Sequence, residues 1–202
     1  MEKELEERTK ELTKTMQHLE DAHARLKKNN DFLVNALSSV VEFRSLESGE
    51  HVKSVQKLTY IILQKWVEMH PECHYTEMDI TQMANAAALH DIGKIVELSG
   101  PVGTVYTKEG LLLGHLLIGV EIVSKVGEEI NMDKEKLLLL KHSIASHHGK
   151  LEFGAIALPQ TREAFILASV DDFDAKMMAI DKALANTEKD SFSERIFALE
   201  NR

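Results

Sequence analysis

Residues 81–95 have the sequence TQMANAAALHDIGKI, and this stretch decides how the rest of the chain is interpreted. Four alanines lead into the adjacent pair His90 and Asp91. Small side chains let neighbouring helices approach closely, and an imidazole beside a carboxylate is a mixed ligand pair suited to Mn, Fe, Co, Ni or Zn. Lys94 lies one turn further on the same helix face, where an ammonium can bind a phosphate oxygen. The stretch therefore predicts a helix that carries ligands for a metal and for a phosphate.

Other polar side chains interrupt apolar helical segments along the chain. These residues are His51, His115, His147, His148 and Asp171. A lone inward histidine is more often a hydrogen-bonded core residue than a ligand. Five independent insertions in one small helical core would be unusual, however, whereas one metal centre accounts for all of them. The pattern therefore predicts that these residues meet His90 and Asp91.

The overall composition restricts the class of protein. A chain of 202 residues can form one domain with a core. Its net charge of -9 argues against a broad basic surface along a nucleic-acid backbone, so a phosphate substrate must be attracted locally. The lone Cys73 excludes an internal disulfide, and the acidic start MEKELEERTK has no apolar signal region. We therefore expect a soluble, cytoplasmic protein that does not engage a membrane.

Leucines recur at every seventh position near the N-terminus, which is typical of the d positions of a coiled coil. They are Leu5, Leu12, Leu19, Leu26 and Leu33. The a positions are mostly polar, so the seam is weak alone but able to specify register and a two-stranded state. We predict a coiled-coil linker helix over residues 1–33 that forms a parallel homodimer, followed by one domain over residues 34–202. The alternative is a single amphipathic helix lying on the domain.

The rest of the chain predicts an all-α helical bundle. Helices are expected over residues 31–46, 50–70, 78–95, 109–129, 134–147 and 161–185, with glycine- or proline-containing breaks between most of them. Thr161 is a candidate N-cap of the last long helix. The tail from Ser191 is expected to form a short helix, and no β-hairpin signal is evident.

The order of the candidate ligands, from about Phe43 to the end, resembles the HD-domain metal-dependent phosphohydrolases. The segment VEFRSLESGEHVKSV (41–55) and the preceding heptads look like the linker and first domain helix of HD-type output domains in bacterial response regulators. Those domains include relatives of the HD-GYP cyclic di-GMP phosphodiesterases. From HDIGKIVELSGP (90–101) onward, the chain is similar to the HD domain of the bacterial 3′–5′ exoribonuclease family.

Two departures from these families concern the substrate. The GYP signature after the double histidine is replaced by HHGKLEFGAIALP (147–159), which disfavours cyclic di-GMP. The exoribonuclease family carries an OB-type nucleic-acid-binding domain ahead of its HD domain, whereas here heptads occupy that end, which disfavours processive RNA degradation.

The resemblance implies two divalent metal ions that share Asp91. The first set of ligands would be His51, His90, Asp91 and Asp171. The second set would be Asp91, His115, His147 and His148. Glu47 matches a residue that adds a third metal in some HD-GYP relatives, although Glu50 competes for that role. A water held between the ions would become a hydroxide that attacks phosphorus, with Lys94 adding local positive charge.

The resemblance therefore implies hydrolysis of a phosphodiester in a nucleotide or short oligonucleotide by a metal-bound hydroxide, with Asp91 and Lys94 as catalytic residues. Phosphomonoester release is the nearest variant. A cyclic di-GMP phosphodiesterase of HD-GYP type and a catalytically weak dimeric signalling module stay open as alternatives. The loops GPVGTVYT (100–107) and KLEFGAIALP (150–159) are expected to line the pocket.

Overall fold

The computed structural model describes residues 2–45, 50–99 and 105–199. Over these residues the chain forms seven α-helices, which confirms the predicted all-α class. They are α1 Glu2–Ser45, α2 His51–Met69, α3 Glu77–Ala87, α4 Lys94–Glu97, α5 Lys108–Glu129, α6 Lys134–Ser146 and α7 Arg162–Ala185. Short 3-10 helices occupy Pro71–Cys73, Leu151–Phe153 and Phe197–Leu199. Strands β1 (Leu98–Ser99) and β2 (Val105–Tyr106) pair antiparallel, with Leu98 opposite Tyr106.

The chain divides into two compact units, residues 1–36 and 37–202. The first unit consists of the N-terminal part of α1. Its heptad leucines are between 57% and 71% exposed, the lower value at Leu33 and the higher at Leu19. The first unit therefore presents an apolar stripe that it does not bury itself.

Side chains cap the first turns of four helices in the second unit. Thr76 forms a reciprocal capping box with Asp79 at the start of α3, and Thr107 accepts a hydrogen bond from the Gly110 N–H in α5. Asp133 caps α6 in the same way. Thr161 accepts from the Ala164 N–H and begins α7, which confirms the N-cap predicted for that helix.

The helix predicted over residues 78–95 is interrupted, and that prediction was wrong. α3 ends at Ala87, and residues 88–93 form turns before α4 begins at Lys94. A Cβ atom on Gly93 would lie 1.9 Å from the backbone oxygen of His115, so glycine is required for this close approach to α5. Backbone bonds such as His90 N–H to Ala87 O tighten the chain through the break. The close packing of two backbones replaces a straight helix with a turn that carries His90 and Asp91.

α5 is bent where it reaches the centre of the domain. Gly114 has φ 69° and ψ 158° inside the helix, a conformation that suits glycine. Among the described residues, α5 is the one helix whose length and apolar composition would allow it to cross a membrane. That is weak evidence for a span, because α5 carries His115 and packs against α4 and α6.

The core of the second unit lies between α2, α3 and α7. Its central cluster comprises Val55, Ala87, Leu167 and Val170. The tail differs from the helix predicted after Ser191, since only Phe197–Leu199 forms a 3-10 turn in the part that the structure describes. Phe192 and Phe197 are both exposed, so this tail gains little burial that would favour a longer helix.

Candidate metal centre

Seven of the eight predicted metal residues converge at one place in the second unit. They come from α2 (His51), the turn after α3 (His90 and Asp91), α5 (His115), the end of α6 (His147 and His148) and α7 (Asp171). The eighth, Glu47, lies outside the described residues. Residues more than 100 positions apart therefore share one centre.

His51, His90 and Asp171 form one group whose potential ligand atoms lie within 4.8 Å of one another. The Oδ1 atom of Asp171 is 3.1 Å from His51 Nε2 and 3.4 Å from His90 Nε2. His90 is 1% exposed, so the group is closed to solvent on that side.

His115, His147 and His148 form a second group with the same spacing. Asp91 lies between the groups: its Oδ1 is 3.3 Å from His115 Nε2 and 3.5 Å from His147 Nε2, and its Oδ2 is 3.3 Å from His90 Nε2. Lys94 Nζ is 2.7 Å from Asp91 Oδ2. Asp91 thus contacts residues of both groups.

All five imidazoles are oriented in the same way, with Nδ1 bonded to an oxygen. The partners are Asp174 for His51, Ala87 O for His90, Glu97 for His115, Ile144 O for His147 and Phe153 O for His148. These oxygens only accept, so each Nδ1 carries a proton and Nε2 is the ring nitrogen that remains for a metal. Hydrogen bonding of this kind is typical of histidines that bind metals through Nε2.

Several nitrogen and oxygen atoms at the centre would be stabilised by a cation. His115 Nε2 and His148 Nε2 are 3.2 Å apart, so two lone pairs face each other. Within the described residues, the buried His90 Nε2 and Asp91 Oδ1 lack a hydrogen-bond partner, which is costly for a buried polar atom. A set of imidazole nitrogens and carboxylate oxygens suits first-row divalent ions. The side chains present therefore fit a divalent metal.

The electrostatics favour positive charge at the same place. Four carboxylates, those of Asp91, Glu97, Asp171 and Asp174, lie around the imidazoles with one ammonium, that of Lys94. Burial alone raises the pKa of Asp91, but the positive charges of His90 and Lys94 and the nearby ring of His147 outweigh it and hold the pKa well below its ordinary value. The carboxylate of Asp91 is therefore charged although it is buried.

The surroundings shift the pKa values of these histidines in opposite directions. Burial lowers the pKa of His90, but Asp91 and Asp171 outweigh burial and raise it well above its ordinary value, so positive charge is favoured there. Burial lowers the pKa of His115 and brings the pKa of His148 to about 4. His115 and His148 are therefore neutral near pH 7, as metal ligands must be.

Two carboxylates of the centre are absent from the sequence-based prediction. Asp174 is 8% exposed and lies 2.7 Å from His51 Nδ1. Glu97 is 7% exposed and accepts from both the ring and the backbone N–H of His115. Each lies three residues after a predicted site residue, Asp171 or Lys94, so helical spacing was the available signal.

Comparisons with known proteins agree with this geometry. A family model described as the HD domain matches residues 49–176, a range that contains all seven converging residues. The chain is 49% identical over 128 residues to the protein named 3′-5′ exoribonuclease YhaM from Bacillus velezensis. That alignment covers 63% of this chain and 41% of the relative, so the chain matches less than half of the relative's length. The resemblance to HD domains and to the exoribonuclease family is confirmed.

Proposed function

Because the chain belongs to the HD domain family, we propose that it is a metal-dependent phosphohydrolase that cleaves a phosphodiester in a nucleotide or short oligonucleotide. The observation that carries this proposal is the convergence of four imidazole Nε2 atoms on Asp91 and Asp171, with a fifth, that of His148, 3.2 Å from His115 Nε2. Such a donor set has no evident structural purpose, since it leaves buried polar atoms without partners. Metal-assisted hydrolysis uses these ligands.

We assign the ligands to two divalent ions that share Asp91. His51, His90, Asp91 and Asp171 would hold one ion. Asp91, His115, His147 and His148 would hold the other. The position of Asp91 between the two groups supports its bridging role. Glu47 stays a predicted third-site ligand, and the identity of the metal among Mn, Fe, Co, Ni and Zn stays open.

Divalent ions bound there would supply an activated water and neutralise the oxygens of a phosphoryl group. The protein's own contribution is to orient the ligands and to exclude bulk water, since His90, Asp91 and His147 are 4% exposed or less. The Lys94 ammonium would bind a non-bridging phosphate oxygen, because it lies 2.7 Å from Asp91 Oδ2 and is therefore next to the proposed ions. Its side chain is 14% exposed.

The proposed substrate class rests on two observations. The relative from Bacillus velezensis is named as an exoribonuclease, which supports a nucleic-acid substrate. The net charge of -9 disfavours long contacts along a nucleic-acid backbone and favours a short substrate bound at the centre. A nucleotide or an oligonucleotide of a few residues is consistent with both observations.

We also propose that residues 1–33 form a parallel two-stranded coiled coil, so that the protein is a homodimer. The exposure of the heptad leucines in the first unit supports this assignment, because pairing with a second copy would bury the stripe. The same feature favours the alternative function, a dimeric signalling module with weak catalysis.

Turnover of bis-p-nitrophenyl phosphate with added manganese tests the proposal, together with the metal content of the purified protein. We expect bound metal and turnover, both lost in Asp91→Ala. Asp172→Ala is the matched control, because Asp172 is an exposed carboxylate beside Asp171 that pairs with Lys176. Bound metal without turnover would favour the signalling module, and the absence of both would refute the metal centre.

A further inference from the structure

The turn between α6 and α7 holds an exposed aromatic ring next to the metal centre. His148 Nδ1 donates to the backbone oxygen of Phe153 over 2.9 Å, so one hydrogen bond links a proposed ligand to Phe153. Phe153 ends the 3-10 helix Leu151–Phe153, and Gly154 follows with φ 90°. The backbone of Phe153 is thus fixed by the centre, while the residue is 55% exposed.

A cation lies over the same ring. Lys150 Nζ is 4.9 Å from the centre of the Phe153 ring. Lys150 also lies 3.5 Å from Glu152, but the two side chains are 61% and 70% exposed, so solvent screens this pair and leaves the ammonium available. An exposed aromatic ring with an adjacent cation is a combination that proteins use to bind single-stranded nucleic acids: the ring stacks on a base, and the cation pairs with phosphate.

Exposed phenylalanines are common on protein surfaces, so the exposure of Phe153 alone decides nothing. Phe165 and Phe173 on α7 are exposed to a similar degree, 64% and 55%. Within the described ranges, neither has a cation over its ring. Phe153 differs from both because its backbone oxygen accepts a hydrogen bond from His148 and because Lys150 lies over its ring.

We propose that Phe153 and Lys150 form a base-binding subsite beside the metal centre. Phe153 stacks on a nucleobase of the substrate, and Lys150 pairs with an adjacent phosphate. The inference rests on the proposed phosphodiesterase function and adds the two residues that would hold a base and a phosphate of a single-stranded substrate. Stacking accepts every base, because each has a π face, so the subsite selects nucleic acid without selecting sequence.

The test is binding of a fluorescein-labelled penta-adenylate with phosphorothioate linkages, which resist hydrolysis, to the full chain in manganese. The fluorescence anisotropy of the labelled oligonucleotide gives the Kd of its complex with the protein. Phe153→Leu keeps an apolar side chain but removes the π face, and we expect Kd to rise about 5- to 150-fold. Phe153→Trp restores binding. Lys150→Gln reduces the slope of log Kd against log salt by about 0.7, the value for one phosphate on a single strand.

Matched controls separate the subsite from general effects. Phe173→Leu and Lys182→Gln change exposed side chains on α7 and should leave Kd and the salt slope unchanged. No binding by the wild type, or equal Kd values for Phe153→Leu, Phe173→Leu and the wild type, would overturn the inference. Turnover of bis-p-nitrophenyl phosphate by the wild type, measured in parallel, shows whether the proposed function stands when the subsite fails.

Discussion

Replacing Asp174 by asparagine is expected to weaken metal binding about 10- to 100-fold without unfolding the domain. The Asp174 carboxylate lies 2.7 Å from His51 Nδ1 and is buried. It holds His51 in the tautomer whose Nε2 lone pair faces Asp171, and its charge makes the ring a stronger ligand. Asparagine keeps the size of the side chain, removes the charge and offers an amide donor that competes with the required tautomer.

The magnitude follows from linkage between binding and folding. At saturating metal, a 10- to 100-fold rise in Kd removes about 1.4–2.7 kcal/mol of stabilisation by the ligand. For a unit spanning residues 37–202, each kcal/mol shifts Tm by about 2–4 °C. The rise in Tm on adding metal should therefore shrink by about 3–11 °C. The metal-free Tm should change less than the metal-loaded Tm, because the asparagine oxygen can still accept a hydrogen bond from His51 Nδ1.

Thermal unfolding with and without excess manganese measures these shifts, and competition for cobalt against a fluorescent chelator measures Kd. Asp181→Asn changes an exposed carboxylate on the same helix and should alter neither quantity. Metal affinity equal to that of the wild type in Asp174→Asn would refute the positioning role. A metal-free Tm that falls as far as the metal-loaded Tm would instead assign Asp174 a role in packing.

Three further predictions concern the backbone, the cations and the N-terminal helix. Gly93→Ala should destabilise the domain by about 1–3 kcal/mol in urea unfolding, because the added Cβ meets the His115 backbone at 1.9 Å; Gly119→Ala, whose Cβ would meet a side-chain methyl at 3.1 Å, should cost less. Stripping metal with EDTA should lower Tm, and restoring manganese should recover it; an unchanged Tm would contradict the centre. The double variant Leu19→Lys, Leu26→Lys should sediment as a monomer and keep its turnover. The control double variant Lys14→Gln, Lys28→Gln on the same helix should still sediment with the mass of a dimer.

The convergence of the candidate ligands was predictable because buried polar groups in apolar helices have few explanations. His115 within GLLLGHLLIG and Asp171 after AFILASV each interrupt or end an apolar run. Asp174 was not predicted because DDFD contains three acidic residues, and sequence alone does not tell which of them turns inward. Glu97 lies one helical turn after Lys94, but its contact with His115 depends on the close approach of the α4 and α5 backbones, which the spacing alone does not show.

The starts of helices were predicted from the sequence more accurately than the continuity of their interiors. Thr161 caps α7 as expected, since its hydroxyl satisfies an N–H within its own turn. The interruption at residues 88–93 runs against the alanine-rich pattern, which favours a continuous helix. A contact between distant segments decides that case, because Gly93 lets the turn reach the backbone of α5.

The proposed centre also links chemistry to folding. Its residues join segments from His51 to Asp171, and the facing Nε2 lone pairs of His115 and His148 repel one another when no cation is present. Binding of metal would therefore act as a cross-link between α2, α5, α6 and α7, and its free energy would contribute directly to stability. Loss of metal should lower activity and Tm together. Substitutions in the exposed leucine stripe of residues 1–36 should change neither, since that unit supplies no ligand.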